Sequence, residues 1–169
     1  MTTTDGAPEG SLADRDGLVD SRRIYPRLAG TTREQVLEEL SALLAADGAV
    51  PDAADLVARL IDRERLGCTG LGGGVAIPHC KFRNLKEVVV ALGTTAVPVD
   101  FGAADGVPIS VVFLVASPAD APAEHLQTLA RISRMLRTPG LVEGLKAAAT
   151  REEAVAVLRS ARTGQAVAS

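Results

Sequence analysis

The sequence predicts a single α/β domain with a mixed central β-sheet and helices on both faces. Two short, nearly continuous apolar runs in the second half of the chain are typical of strands covered on both sides. Segments with apolar residues at helical spacing precede and follow these runs. Helices on both sides of buried strands form an α/β sandwich, and 169 residues correspond to one domain.

Two helices are predicted before the centre of the chain. The first has Thr31 or Thr32 as its N-cap and ends at Gly48, and the second runs from Pro51 to about Gly67. Each has one apolar stripe. The stripes consist of Val36, Leu37, Leu40, Leu43 and Leu44 in the first helix and of Leu56, Val57, Leu60 and Ile61 in the second.

Two strands and three helices are predicted after the centre. The strands are the apolar runs at 87–95 and 109–117, with turn residues between them. The last helix begins at a Thr150/Glu153 capping box, and a shorter helix precedes it at 139–148. A helix from about Ala123 to Arg137 is expected to bury Leu126, Leu129, Ile132 and Leu136.

The composition limits the class of protein. A net charge of −3 and the absence of a Lys/Arg run argue against a nucleic-acid partner. No apolar run is long enough to insert into a membrane, and the first residues lack a secretory signal. Two cysteines suggest a reduced, cytoplasmic setting. We expect flexible tails at 1–18 and 161–169 around a domain at 19–160.

The segment LGCTGLGGGVAIPHCKFRN at 66–84 concentrates glycines, both cysteines and one of the two histidines. It lacks the GxxxxGK[ST] loop, and a helix rather than a strand precedes its glycines, which argues against nucleotide binding. The ligand types of Cys68, His79, Cys80 and His125 would suit zinc. However, adjacent His79 and Cys80 would point to opposite faces of an extended segment, and no CxxC pair is present.

A catalytic serine is also not indicated, because the sequence has no GxSxG nucleophile elbow. His79 itself is a candidate nucleophile, since a neutral imidazole nitrogen can attack a phosphoryl group. The simpler interpretation of the residues alone is a loop histidine that makes one hydrogen bond. Both interpretations remain open at this point.

Three blocks, RERLGCTGLGGGVAIPHCK, PVDFGAADGVPISVVFLVASP and EHLQTLARISRMLR, occur in order. Together they resemble the enzyme IIA domain of the fructose/mannitol family of the bacterial phosphotransferase system. The likeness spans about residues 19–160 and is strongest to the nitrogen-regulatory branch. The resemblance implies that His79 of the Ile77-Pro78-His79 motif is phosphorylated. It also implies that Arg63 and His125 support the phosphoryl group.

The resemblance implies a phosphocarrier that takes its phosphoryl group from a histidine-phosphorylated HPr-like donor, without metal or cofactor. A regulatory role with target proteins is expected. The alternatives are a sugar-specific enzyme IIA that passes the group to a separate IIB protein, and a binding module that has lost phosphotransfer. We expect the glycines to let a partner approach His79 and Val75, Ile77 and Phe82 to supply apolar docking surface.

One position departs from the family pattern. Cys80 stands where the family usually has glycine directly after its histidine. If this position required a positive φ, cysteine would be strained by about 1 kcal/mol or more. The alternative is that Cys80 lies in ordinary extended backbone. Cys68 is expected to be a small buried side chain rather than a reactive thiol.

Overall fold

The computed structural model describes residues 18–162 and consists of a six-stranded sheet between two layers of helices. The predicted tails lie outside the described residues up to residue 17 and from residue 163. Leu18, the last residue of the predicted N-terminal tail, is buried. None of the helices within 18–162 is long and apolar enough to cross a bilayer.

The elements follow in this order along the chain. A 3-10 helix at Ser21–Arg23 precedes the first strand. The strands are β1 (Ile24–Leu28), β2 (Gly70–Gly72), β3 (Val75–Ala76), β4 (His79–Phe82), β5 (Val89–Val99) and β6 (Ile109–Pro118). The helices are α1 (Arg33–Ala46), α2 (Ala53–Arg65), α3 (Pro122–Met135), α4 (Leu141–Ala147) and α5 (Arg151–Arg162).

The sheet is mixed, as predicted. Its strand order is β1-β5-β6-β3-β2, and β4 also pairs with β6. β5 and β6 are antiparallel, as are β2 and β3, whereas β1 runs parallel to β5, and β3 and β4 run parallel to β6. β3 and β4 lie one after the other along β6, because Ala76 pairs with Val112 and His79 pairs with Val115.

Two hydrophobic cores cover the two faces of the sheet. Alternate residues of β6 point into different cores, which explains why the whole strand is apolar. Val112, Leu114 and Ala116 pack with α1 and α2. Val111, Phe113 and Val115 pack with α3, α4 and α5.

Two of the predicted helix starts are confirmed by their capping bonds. The Thr32 hydroxyl accepts a hydrogen bond from the Gln35 amide at 3.2 Å, which begins α1. Before α5, the Glu153 amide donates to the Thr150 hydroxyl at 3.2 Å, and the Glu153 carboxylate accepts from the Thr150 amide at 3.3 Å. These reciprocal bonds form the predicted capping box.

Two details of the helix and strand predictions are corrected. Leu126 is 66% exposed rather than buried, because α3 turns its His125, Thr128 and Ile132 face toward the sheet. The short strands β2, β3 and β4 of the glycine-rich segment were not predicted as strands, and neither was β1. It has five residues and contains Pro26, and proline in so short a run weakens the strand signal and is compatible with an edge strand.

Candidate active site

A cavity of about 600 Å³ lies where α2 and α3 meet the strand β4. This strand follows the Ile77-Pro78 segment directly, so its first residue, His79, is placed at the cavity wall. The three site residues predicted from the sequence all line this cavity. The complete lining is Arg59, Asp62, Arg63, Leu66, His79, Cys80, Lys81 and His125.

A hydrogen bond to a nearby backbone carbonyl orients the ring of His79. Nδ1 lies 2.8 Å from the carbonyl oxygen of Ile77. A carbonyl oxygen can only accept, so Nδ1 carries the hydrogen and donates it. The lone pair of the neutral ring is therefore on Nε2, the atom available to attack an electrophile.

The segment that presents this carbonyl is itself tied down by buried bonds. The amide of Ile77 donates to the carbonyl of Thr69 at 3.1 Å. The amide and the hydroxyl of Thr69 both donate to the carboxylate of Glu64, which is only 3% exposed. Glu64 follows Arg63 in α2, and an acidic helix residue is normally expected at the surface. Here it is buried, and its hydrogen bonds hold the segment before His79 against α2.

His125 approaches His79 from the first turns of α3. The two ring centroids are 5.4 Å apart, with a 51° angle between the ring planes. His125 is 7% exposed, and its Nδ1 lies 2.6 Å from the hydroxyl of Ser117. Burial lowers the pKa of His125, and the nearby His79 and Lys81 lower it further.

Arg63 contributes the cation predicted at the end of α2. It lies in the last turn of that helix, and its Nη1 donates to the Gly67 carbonyl at 3.0 Å. A guanidinium has five N–H donors. One bond to Gly67 therefore orients the side chain and leaves other donors for an anion in the cavity.

Comparison with known proteins identifies the family of this site. The family model for the phosphoenolpyruvate-dependent sugar phosphotransferase system, EIIA 2, matches residues 18–161. The chain belongs to this family. A nitrogen regulatory protein of Pseudomonas aeruginosa is 35% identical to this enzyme IIA over 143 residues, which cover 85% of this chain and 93% of that protein. One from Bradyrhizobium diazoefficiens is 37% identical over 141 residues, covering 83% and 92%.

The fold and the nitrogen-regulatory resemblance are confirmed by these comparisons. The crystal structure of the nitrogen regulatory protein IIA-Ntr from Neisseria meningitidis matches this enzyme IIA with a TM-score of 0.75 at 33% identity, covering 83% of this chain and 96% of that one. Sugar-specific relatives are also similar. A fructose-specific EIIA component of Haloferax volcanii is 33% identical over 127 residues, covering 75% of this chain and 82% of that protein.

Two cations of the cavity were missed by the sequence analysis. Lys81 is two residues after His79 in β4, and residues two apart in a strand share a face. Arg59 is four residues before Arg63, on the same side of α2. Its guanidinium carbon lies 5.4 Å from the centre of the Phe82 ring, and its Nε donates to Asp55 at 3.2 Å. The strand period therefore predicts Lys81 from His79, and the helix period predicts Arg59 from Arg63.

Cys80 lies in ordinary strand geometry, which resolves the departure from the family pattern. Its φ is not positive, so this position does not require glycine. Its side chain is 8% exposed and packs in the core beneath α1 and α2. Burial raises the pKa of its thiol to about 12, so the thiolate needed for metal binding or attack is disfavoured.

The zinc interpretation is not supported by this geometry. The side chain of Cys80 packs in the core beneath α1 and α2, whereas His79 contacts His125 of α3. Across residues 18–162, no group of three or more His, Cys, Asp or Glu side chains is arranged to hold a metal ion. Both cysteines are free thiols, and Cys68 is half-buried rather than fully buried as expected.

The glycines and the apolar residues of the motif have a different role from the one expected. Gly72, the last residue of β2, and Gly73 and Gly74 in the turn that follows it have positive φ. Asp105 accepts a hydrogen bond from the Gly73 amide at 2.9 Å. They do not line the cavity around His79. The side chains expected at the surface are instead in the cores, since Val75, Ile77 and Phe82 are each at most 4% exposed.

Proposed function

We propose that this enzyme IIA carries a phosphoryl group on Nε2 of His79, accepted from a histidine-phosphorylated HPr-like protein. The observation that carries the proposal is the Nδ1 hydrogen bond to Ile77. It holds the ring in the tautomer whose Nε2 has a lone pair, and His79 lines the cavity. We further propose that the protein works in the cytoplasm, where its donor would be found.

The transfer exchanges one nitrogen–phosphorus bond for another. The lone pair of His79 Nε2 forms a bond to phosphorus while the bond to the donor nitrogen breaks and its electron pair stays with the donor ring. This reaction mainly requires alignment and positive charge around the phosphoryl oxygens. Arg63 and Lys81 supply charge, and His125 supplies a ring N–H. The reaction consumes no redox equivalent.

The phosphoryl group would change what the protein binds. It adds between one and two negative charges near neutral pH to a cavity now lined by three cationic side chains. A partner that contacts this rim would then have different affinities for the two states, which is what a regulator requires. The nitrogen regulatory relatives support a regulatory component of the nitrogen type.

A sugar-specific enzyme IIA is the second candidate function. The 33% identity to a fructose-specific EIIA component favours it. In that case the same phosphohistidine would pass its group to a cysteine of a separate IIB protein. The chemistry on His79 is common to both functions, so only the acceptor distinguishes them.

The carrier step is tested by incubation with a phosphorylated HPr-like donor. Wild type and His125→Ala are expected to gain one acid-labile phosphoryl group, with His125→Ala reacting more slowly. His79→Ala is expected to gain none. The mass increase is followed by intact-protein mass spectrometry under alkaline conditions. Full labelling of His79→Ala would overturn the assignment of the phosphorylated residue.

The acceptor is tested by comparing binding and onward transfer. Unphosphorylated protein, phosphorylated protein and His79→Glu are used to capture partners, and each partner identified is purified and titrated against both states. A regulatory role predicts a partner whose affinity differs at least tenfold between the states. Rapid stoichiometric transfer to a IIB cysteine, without any state-dependent partner, would favour the sugar-specific function instead.

A further inference from the structure

We infer that Ser117 is a positioning residue that gives His125 the tautomer opposite to that of His79. Its hydroxyl donates to Nδ1 of His125, so that the ring hydrogen is on Nε2. His125 is then a hydrogen-bond donor to the phosphoryl group and cannot compete as its acceptor. The use of this donor rests on the proposed phosphorylation of His79, whereas the tautomer itself does not.

The direction of this hydrogen bond follows from burial. Ser117 lies near the end of β6 and is 0% exposed, and its Oγ is 2.6 Å from His125 Nδ1. Within residues 18–162 the Ser117 hydroxyl has no second hydrogen-bond partner. If Nδ1 carried the hydrogen, the hydroxyl hydrogen would be buried without an acceptor, which is costly. The hydroxyl therefore donates, and Nδ1 accepts.

One hydrogen-bonding neighbour at each Nδ1 then gives His79 and His125 opposite tautomers. A carbonyl oxygen beside His79 Nδ1 can only accept, which leaves the lone pair on Nε2. A hydroxyl with no other acceptor beside His125 Nδ1 leaves the hydrogen on Nε2. Two histidines whose centroids are 5.4 Å apart thereby become a nucleophile and a donor. An Nε2 that carries a hydrogen has no lone pair with which to accept a phosphoryl group.

The same arrangement favours the neutral form of His125. Protonation would place a hydrogen on Nδ1 and turn the Ser117 hydroxyl into an acceptor, so its own hydrogen would lose its partner. Burial and the positive groups near the ring act in the same direction, and the negative charge of Asp62 acts in the opposite one. His79 and Lys81 from β4 are close enough to lower the pKa of His125, as does its burial. Arg63 of α2, which lines the same cavity, adds a further positive charge, and Asp62 is the acidic group there.

The tautomer is measured by nuclear magnetic resonance on protein labelled with ¹⁵N in its two histidines. Two-bond correlations between ring nitrogens and ring carbon-bound protons distinguish a protonated from an unprotonated nitrogen. Above the pKa of both rings, wild type is expected to show an unprotonated Nδ1 for His125 and an unprotonated Nε2 for His79. A wild-type His125 with its hydrogen on Nδ1 would overturn the inference.

Ser117→Thr and Ser117→Val provide a matched pair, because they have nearly the same shape and differ in the hydroxyl. Ser117→Thr is expected to keep the wild-type tautomer, and Ser117→Val to populate both tautomers of His125. If the extra methyl disturbs the fold of both variants, the comparison of wild type with Ser117→Ala decides. Indistinguishable tautomers with and without the hydroxyl would overturn the inference.

The role of Ser117 in supporting the phosphoryl group is measured separately, on the phosphorylated protein. Loss of the hydroxyl is expected to shorten the phosphohistidine lifetime about tenfold, the scale of one charge-assisted hydrogen bond, while Ser117→Thr restores it. An unchanged lifetime in the presence of a shifted tautomer would overturn the positioning role. Failure of His79 to accept a phosphoryl group would instead reject the proposed function, since the tautomer is read on unphosphorylated protein.

Discussion

Arg63 is one of the three cations that line the site, and its removal tests the supporting residues directly. Arg63→Ala is expected to slow phosphorylation of His79 by roughly 30- to 1,000-fold, about 2–4 kcal/mol, the scale of one preorganised donor to developing charge. Arg65→Ala is the control, because Arg65 is in the same helical turn but its side chain is 72% exposed and pairs with Asp62. Equal transfer rates in the two variants would contradict the role of Arg63.

Cys80 is expected to be a packing residue rather than a strained one. Cys80→Gly is expected to lower the free energy of unfolding by about 1–3 kcal/mol, because it opens a space in the core and frees a strand residue. Urea unfolding measures the change. In the folded protein an alkylating reagent is expected to modify the half-buried Cys68 first, since Cys80 is buried and its pKa is raised to about 12. A Cys80→Gly variant with a higher free energy of unfolding than wild type would contradict the packing role of Cys80.

The lowered pKa of His125 predicts that the free energy of unfolding depends on pH. Its pKa is lowered in the folded protein by burial, then by His79 and Lys81, from an ordinary value of about 6.5. Below about pH 6.5 the unfolded chain therefore binds more protons at this position than the folded chain. Its contribution to stability is complete above about pH 6.5 and is lost as the pH falls toward the folded value.

The corresponding measurement is urea unfolding of wild type and His125→Gln between about pH 5 and 8, a range centred on the ordinary histidine value. The variant is expected to lose less stability on acidification than wild type. Carboxylates with lowered pKa, such as those of Asp20 and Asp105, titrate near and below their ordinary pKa of 3.8 and leave this range largely unaffected. Identical pH slopes in both proteins would contradict the lowered pKa.

At the scale of elements, α2 and α3 present the apolar surface beside the cavity. Leu66 follows α2 and is 85% exposed, and Leu126 of α3 is 66% exposed next to His125. If the proposed transfer occurs at His79, we expect these two side chains to contact the donor protein. This surface replaces the one expected from Val75, Ile77 and Phe82, which are buried.

Leu126→Asp is accordingly expected to weaken binding of the HPr-like donor about five- to tenfold, since it places a charge in an apolar contact. Leu71→Asp is the control, because Leu71 is 55% exposed in the neighbourhood of the glycine turn and does not line the His79 cavity. Affinity is measured by titration with the purified donor. A loss of the same size in both variants would reject α3 as the docking helix.

Regular elements were predictable because periodicity and capping are local properties. The stripes of α1 and α2 and the Thr150/Glu153 box were read from spacing alone. Leu126 was misplaced because a helix with apolar residues at neighbouring positions does not specify which face meets the sheet. The buried face includes His125, whose Nδ1 lies beside the Ser117 hydroxyl, and Thr128, whose hydroxyl donates to the Glu124 carbonyl.

At the scale of the whole molecule, the site exists because distant segments meet at one strand of the sheet. β4 pairs with the end of β6, where Ser117 lies beside Lys81 in the register. α2 packs in one core and α3 in the other, and both reach the cavity. The resemblance supplied Arg63, His79 and His125, but the partners Glu64, Thr69 and Ser117 follow only from this tertiary arrangement. No sequence spacing connects residues 77 and 69, or 125 and 117, without the fold.

The proposed phosphoryl group on Nε2 of His79 is tested most sharply by locating phosphorus on the ring. The protein labelled with ¹⁵N in histidine is phosphorylated by the donor, and ³¹P–¹⁵N coupling is measured at alkaline pH. We expect one phosphohistidine, at His79, with phosphorus on Nε2 and the hydrogen bond from Nδ1 to Ile77 retained. Phosphorus on Nδ1 of His79, or on either nitrogen of His125, would contradict it.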